Sequence, residues 1–197
     1  MLACQLLAGL VELAARVIVF GGTLSPLCQD FFSILTDSLT IRSITAADDA
    51  ALARTIRDTL TEFGAAKPGT AYYDTATDHL HELFSQTPRS AYFVAEVNGE
   101  VLGGGGIFPT HGLPADTVEL VKLYLLPPAR GRGVGKALIN KCLEAARTNG
   151  YARVYLETTD ELTQAIPLYE RLGFTYLTDS LGDSGHFGCQ IWMIRSV

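Results

Sequence analysis

Between Val118 and Glu157 the chain reads as strand, glycine-rich turn, helix, strand. Two strands joined that way run parallel, and the helix crosses back over the sheet between them. Val118 to Leu126 is the most strand-like run in the chain, and Arg130-Gly131-Arg132-Gly133-Val134-Gly135 forms the turn. Leu138, Ile139, Cys142, Leu143 and Ala146 then give the helix a broad apolar face, Gly150 ends it, and Arg153 to Glu157 is the second strand. The N–H groups of the turn and of the first helical turn have no partners within the helix. They converge on one spot, where the helix dipole adds partial positive charge, so the unit builds an anion site. Glycines 131, 133 and 135 let backbone approach a phosphate, and Arg130, Arg132 and Lys136 can supply charge at its edge.

Other elements arrange themselves around this unit. Thr40 to Ser43 reads as a short strand, and Thr45 with Asp48 is a capping box opening a helix through Phe63, with Leu52, Ile56, Leu60 and Phe63 on one stripe. Thr75 and Asp78 repeat the signal ahead of Leu80, Leu83 and Phe84. Asn98-Gly99 supplies the two positive φ angles of a type I′ turn, so Ala91 to Val97 and Glu100 to Ile107 form a hairpin. Gly103 to Gly106 within its second strand predicts a bulge or a close backbone approach. A short helix ends at Leu172, and Pro167 is tolerable there if the helix starts near Thr163 or Gln164. Thr175 to Leu177 and Gln190 to Ile194 are closing strands.

A length of 197 residues suits one catalytic domain, expected over residues 39–197, behind an apolar extension over residues 1–38. With 48% hydrophobic and 18% charged residues, global disorder is excluded. The net charge of -6 argues against nucleic acid as a partner, because neutralising phosphates takes clustered Lys and Arg. Cys4, Cys28, Cys142 and Cys189 form no CxxC pair, which predicts neither a metal site nor a redox dithiol and fits a reducing, cytoplasmic setting. In the extension, Glu12 and Arg16 interrupt the apolar run, and Val17 to Gln29 contains Gly21, Gly22 and Pro26. That pattern predicts a helical, amphipathic appendage without stable membrane insertion. Its apolar character is compatible with a homodimer.

Rival phosphate motifs fail residue by residue. A Walker loop needs Ser or Thr after the lysine, but Ala137 follows Lys136, and a dinucleotide fingerprint counted from Gly131 meets Lys136 at its third glycine. What fits is R-x-x-G-x-G, filled by Arg130, Gly133 and Gly135 directly after a strand. Together, ELVKLYLLPPARGRGVGKAL and the later LYERLGF resemble the GNAT superfamily of N-acetyltransferases over about Leu39 to Ile194. The resemblance implies an α/β fold, a mixed sheet of six or seven strands with helices on both faces. It also implies an acyl-CoA co-substrate, acetyl-CoA, with its pyrophosphate on residues 130–136, its pantetheine arm along Leu123, Tyr124 and Leu125, and Ala165 at the same site. Many members carry an asparagine after the next strand; this chain has Glu157-Thr158-Thr159-Asp160, so Thr158 or Thr159 is the expected substitute.

Amine acylation by a thioester needs a base for the acceptor ammonium and an acid for the departing thiolate, and no metal. The resemblance implies Glu119 as base, with His186 or a water chain as alternatives. It implies Tyr169, in the Y-x-x-x-G-F pattern completed by Gly173 and Phe174, as acid. The first two helices and the last strands would frame the acceptor, which directs attention to Tyr72, Tyr73, Asp74, His111, Asp183, His186 and Cys189. Of these, Tyr73, His111 and His186 are the expected substrate contacts. Cys189 reads as packing, because direct transfer needs no acyl-enzyme. The expected activity is transfer to a small-molecule amine; a CoA-binding module without catalysis and a protein acetyltransferase are the alternatives.

Overall fold

The computed structural model describes residues 38–197, so the expectation of an apolar extension over residues 1–38 lies outside the described residues except at Ser38. The strands are β1 (Leu39–Ser43), β2 (Ala91–Val97), β3 (Glu100–Phe108), β4 (Thr117–Leu125), β5 (Arg153–Thr158), β6 (Thr175–Tyr176) and β7 (Ile191–Ser196). They form one mixed sheet in the order β1-β2-β3-β4-β5-β7-β6. Its α-helices are α1 (Asp49–Glu62), α2 (Leu80–Gln86), α3 (Val134–Thr148) and α4 (Ile166–Arg171). As expected, β4 and β5 pair in parallel across α3, while every other pair is antiparallel.

Both sheet faces are covered. Leu52, Ile56 and Leu60 of α1 join Leu80 and Phe84 of α2 against Tyr92 and Val94. On the opposite side, Leu138, Ile139, Cys142, Leu143 and Ala146 of α3 bury the face predicted for them against Phe93, Val118, Leu120, Val154 and Met193. Each such leucine or isoleucine contributes about 1.5–3 kcal/mol of burial. Among the described residues no helix is long and apolar enough to cross a membrane.

Two local departures from the expected pattern bear on the site. The helix signal at Thr75 and Asp78 is displaced by one residue: the Asp74 carboxylate accepts from the Ala76 N–H at 2.9 Å and caps a 3-10 turn, Thr75–His79. Asp78 instead meets Arg57 with both oxygens at 2.7 Å. Helix α4 starts at Ile166, later than Thr163 or Gln164, which puts Pro167 in the opening turn, where its missing N–H costs no helical bond.

The glycine run answers a close approach. A Cβ at Gly104 would lie 2.7 Å from Tyr92, one at Gly105 2.6 Å from Leu123, and one at Gly106 2.5 Å from the Ala91 carbonyl. The register also shifts there: Gly104 faces Tyr124 and Gly106 faces Val121, leaving one extra residue on β4. Lys122 takes up that bulge with φ 49, and its carbonyl accepts from the Tyr92 hydroxyl at 2.9 Å. Pairing of β4 with β5 ends at Leu120 and Leu156, although β4 runs on to Leu125 and β5 to Thr158. Two cavities lie along the diverging strand ends.

Candidate active site

The larger cavity, about 460 Å³, is lined by Leu123, Tyr124 and Leu125 of β4, Arg130, Gly131, Gly133, Gly135 and Lys136 of the turn, and Ala165 and Leu168 beyond β5. Gly133 caps α3 with φ 80 and Gly131 has φ 71, backbone conformations that cost side-chain-bearing residues about 1–2 kcal/mol. A Cβ at either would meet nothing within 4 Å, so the turn presents backbone to open space. Gly135 serves a different end: its Cβ would lie 3.3 Å from Leu168 and 3.4 Å from Leu125, so glycine lets α3 sit close to both walls.

Four expected contacts are altered. Arg130 is committed to the fold: its Nε donates to the Leu125 carbonyl at 2.8 Å, and its Nη atoms meet Glu62 at 2.6 and 2.8 Å. It therefore fixes the turn against β4 and α1, while Lys136 remains on the cavity wall. Val134 points into the core, leaving only its N–H as a ligand group, and Arg132 is exposed with Nη1 3.4 Å from the Pro128 carbonyl. Thr158 lines the second cavity, where its hydroxyl is buried with no hydrogen-bond partner. Sequence reasoning missed Thr59 and Phe63, one helical turn apart at the end of α1, which form another wall of the larger cavity. The apolar spacing of α1 assigns Phe63 to the core stripe instead.

The smaller cavity, about 40 Å³, is lined by Glu119, Lys122, Glu157, Thr158, His186 and Cys189 and by apolar Leu60, Ala71, Val121 and Leu162. Tyr124 and Leu162 line both cavities, so the two meet there. Glu119 lies within the sheet, 3% exposed, and accepts a short hydrogen bond from the Thr110 hydroxyl. Burial pushes its carboxyl up to about 7; the Thr110 bond opposes that rise, and the Glu157 charge adds to it. Such a group accepts a proton near neutral pH.

Around Glu119 the segment after β6 is fastened to β5. The Glu157 carboxylate accepts from the Tyr155 hydroxyl at 2.8 Å and the Ser184 hydroxyl at 2.7 Å. Ser184 in turn accepts from the His186 N–H at 3.0 Å, and the Gly188 N–H donates to the Gly69 carbonyl at 2.9 Å. His186 Nε2 stands 3.8 Å from Asp74 Oδ2, and the buried Lys122 ammonium donates to the same carboxylate. His186 and Lys122 hold Asp74 well below the usual carboxylate range against the opposing effect of burial. Burial pushes the Cys189 thiol up to about 12, which keeps it protonated.

Of the expected substrate contacts, only His186 lines this cavity. Tyr73 is 63% exposed. His111 is also exposed, and its carbonyl accepts from the Asp183 N–H at 2.8 Å. Tyr169 is buried against Phe174, ring centroids 5.8 Å apart, and is absent from the lining of either cavity. Its phenol is nonetheless near enough to help raise that of Tyr124 beyond the effects of burial and Cys189. Burial raises Tyr169 itself, so both phenols are protonated donors. Lys122 and Thr110 were not anticipated; a lysine three residues after Glu119 in a mostly apolar strand was the available signal for the first.

Glu119, Glu157 and His186 offer ligand-type atoms within 4.8 Å of one another. Both carboxylates there already accept hydrogen bonds from protein hydroxyls, which ties the cluster into a polar network with acceptor capacity to spare.

The same architecture recurs in known proteins. The Acetyltransferase (GNAT) family profile matches residues 55–174. An uncharacterized N-acetyltransferase of Escherichia coli K12, YjgM, is 43% identical over 166 residues, covering 84% of this chain and 99% of its own. A GNAT-family acetyltransferase structure from Staphylococcus aureus Mu50 superposes with TM-score 0.69 at 16% identity, over 81% of this chain and 99% of that one. The PaiA N-acetyltransferase of Thermoplasma acidophilum, in complex with coenzyme A, gives 0.64 at 17% identity, over 81% and 99%. The two structures establish likeness of fold.

Proposed function

Because the chain belongs to the GNAT acetyltransferase family, we propose that it transfers an acetyl group from acetyl-CoA directly to the amine of a small-molecule acceptor. One observation carries this reading: a large cavity lined by the glycine-rich turn shares Tyr124 and Leu162 with a small one built around a buried carboxylate. Bound acetyl-CoA supplies the acyl group as a thioester. The residues fit it, since Gly131 and Gly133 leave open space where a side chain would stand and Lys136 lines the same cavity. Beyond Leu120 the β4 edge is unpaired with β5, which leaves the backbone of Leu123 to Leu125 to hold an extended arm and polarise a carbonyl.

Glu119 takes a proton from the acceptor ammonium. Its place in the Y-x-x-x-G-F pattern assigns Tyr169 the hydrogen bond to the departing sulfur; the ring is buried next in the chain to Leu168, which lines the larger cavity. Cys189, protonated at neutral pH, is a poor nucleophile, which favours direct transfer over an acyl-enzyme. Free-thiol release from acetyl-CoA against a panel of amines tests the reading, with melting temperature measured with and without CoA. Release stimulated by a small amine together with stabilisation by CoA is expected; stabilisation without release from any amine refutes the catalytic assignment.

A further inference from the structure

Resting on that reading, we infer that the acceptor is an unbranched primary alkylamine, entering as its ammonium, and not the amine of an α-amino acid. A carboxylate oxygen of Glu119, one of Glu157 and one ring nitrogen of His186, an acceptor in the neutral imidazole, lie within 4.8 Å of one another. Three atoms at the corners of a triangle of that side share a point about 2.8 Å from each, the length of an N–H···O hydrogen bond, and an ammonium has three N–H groups to give. Closer corners move the point out of their plane at the same distance. The Thr158 hydroxyl, buried and without a protein partner, lies on the same wall.

Size and charge set the rest of the preference. A cavity of about 40 Å³ admits little more than the ammonium and its first methylene, and Leu60, Ala71, Val121 and Leu162 are suitable walls for a methylene stem. An α-amino acid carries its carboxylate on the carbon next to the nitrogen, which would bring that charge against Glu119, Glu157 and Asp74. The single cation lining the cavity among the described residues, Lys122, is already bonded to Asp74 and to the Thr77 hydroxyl. Nearby Lys67 meets Glu161 at 2.6 Å. An acceptor carboxylate therefore finds like charge and, among the described residues lining the cavity, no lysine or arginine free to pair with it.

The reaction balances with these groups. The ammonium yields one proton to Glu119 and becomes nucleophilic, the C–N bond forms as the C–S bond breaks, and the second proton lost by nitrogen ends on the CoA sulfur. Glu119 then returns its proton to solvent. A free alkylamine and a lysine side chain share this chemistry, so the test carries both.

Initial rates of thiol release at saturating acetyl-CoA are compared for n-butylamine, putrescine, a lysine-containing peptide blocked at its N-terminus, alanine, serine and aspartate. At least one alkylamine source is expected to exceed every α-amino acid at least tenfold in kcat/KM, and the ratio of putrescine to peptide identifies the source. An α-amino acid that matches or exceeds the alkylamines overturns the inference and leaves the acetyltransferase reading intact. Release from none of them, in protein that CoA still stabilises, overturns both. Glu157→Gln should raise KM for the alkylamine about tenfold while KM for acetyl-CoA stays within twofold; equal rises in both overturn the ammonium cradle.

Discussion

Replacing Glu119 by glutamine should make the protein more stable at pH 8 while removing most of its activity. In the unfolded chain this carboxyl ionises at the ordinary 4.5, and in the fold at about 7. Between those values the folded state holds a proton that the unfolded state has lost, so stability falls as pH rises from about 4.5 to about 7 and stays lower above it. At about 1.4 kcal/mol for each tenfold in proton activity, the ionised group costs the fold about 3 kcal/mol at pH 8. The substituted amide retains an oxygen to accept from Thr110 and never ionises, so the variant escapes that cost. For a domain of this size 1 kcal/mol moves Tm by about 2–4 °C, giving a gain of about 6–12 °C at pH 8 that is absent at pH 4.5. Melting curves of both proteins across that range isolate the effect, because the acidic groups whose pKa is lowered, such as Asp48, contribute equally to both. In parallel, the wild-type kcat/KM should rise about tenfold per pH unit below about 7, a limb that the variant lacks. A variant no more stable than wild type at pH 8 would show an ordinary carboxyl and refute the poised-base argument.

Two further outcomes follow from the cavities. Gly133→Glu forces a side chain into φ 80, costing about 1–2 kcal/mol, and sets a negative charge in the phosphate cradle. The Kd for CoA, measured calorimetrically, should rise at least 100-fold, and unchanged binding would sink the turn assignment. Tyr169→Phe keeps the ring against Phe174 and removes only the hydroxyl, so kcat should fall about 100-fold with the Kd for CoA within twofold. Equal losses in kcat and CoA binding would mark Tyr169 as packing.

Legibility was high wherever a local rule fixed the outcome. Asn98 at φ 53 and Gly99 at φ 83 close the hairpin as their dipeptide predicts, and α3 buries the face its spacing assigns. The glycine-rich turn was equally visible, because a strand-to-helix turn with glycines at φ 71 and φ 80 is a property of consecutive residues. The acceptor side was less so. Tyr73, His111 and His186 were all chosen for their place around the expected acceptor; His186 lines the cavity, whereas Tyr73 and His111 face solvent.

What the sequence determined by itself was therefore the order of elements, the parallel β4-α3-β5 unit and the glycine-rich turn between its first strand and its helix, since dihedral preference and apolar period act within a few residues. Only the tertiary structure decided that Arg130 holds the turn through Leu125 and Glu62, and that Lys122 bonds to Asp74. It also decided that Glu119 is buried between β3 and β5. A proton affinity, or the availability of a charge, depends on solvent exclusion and on partners far apart in the chain, and those exist only once the sheet has brought them together.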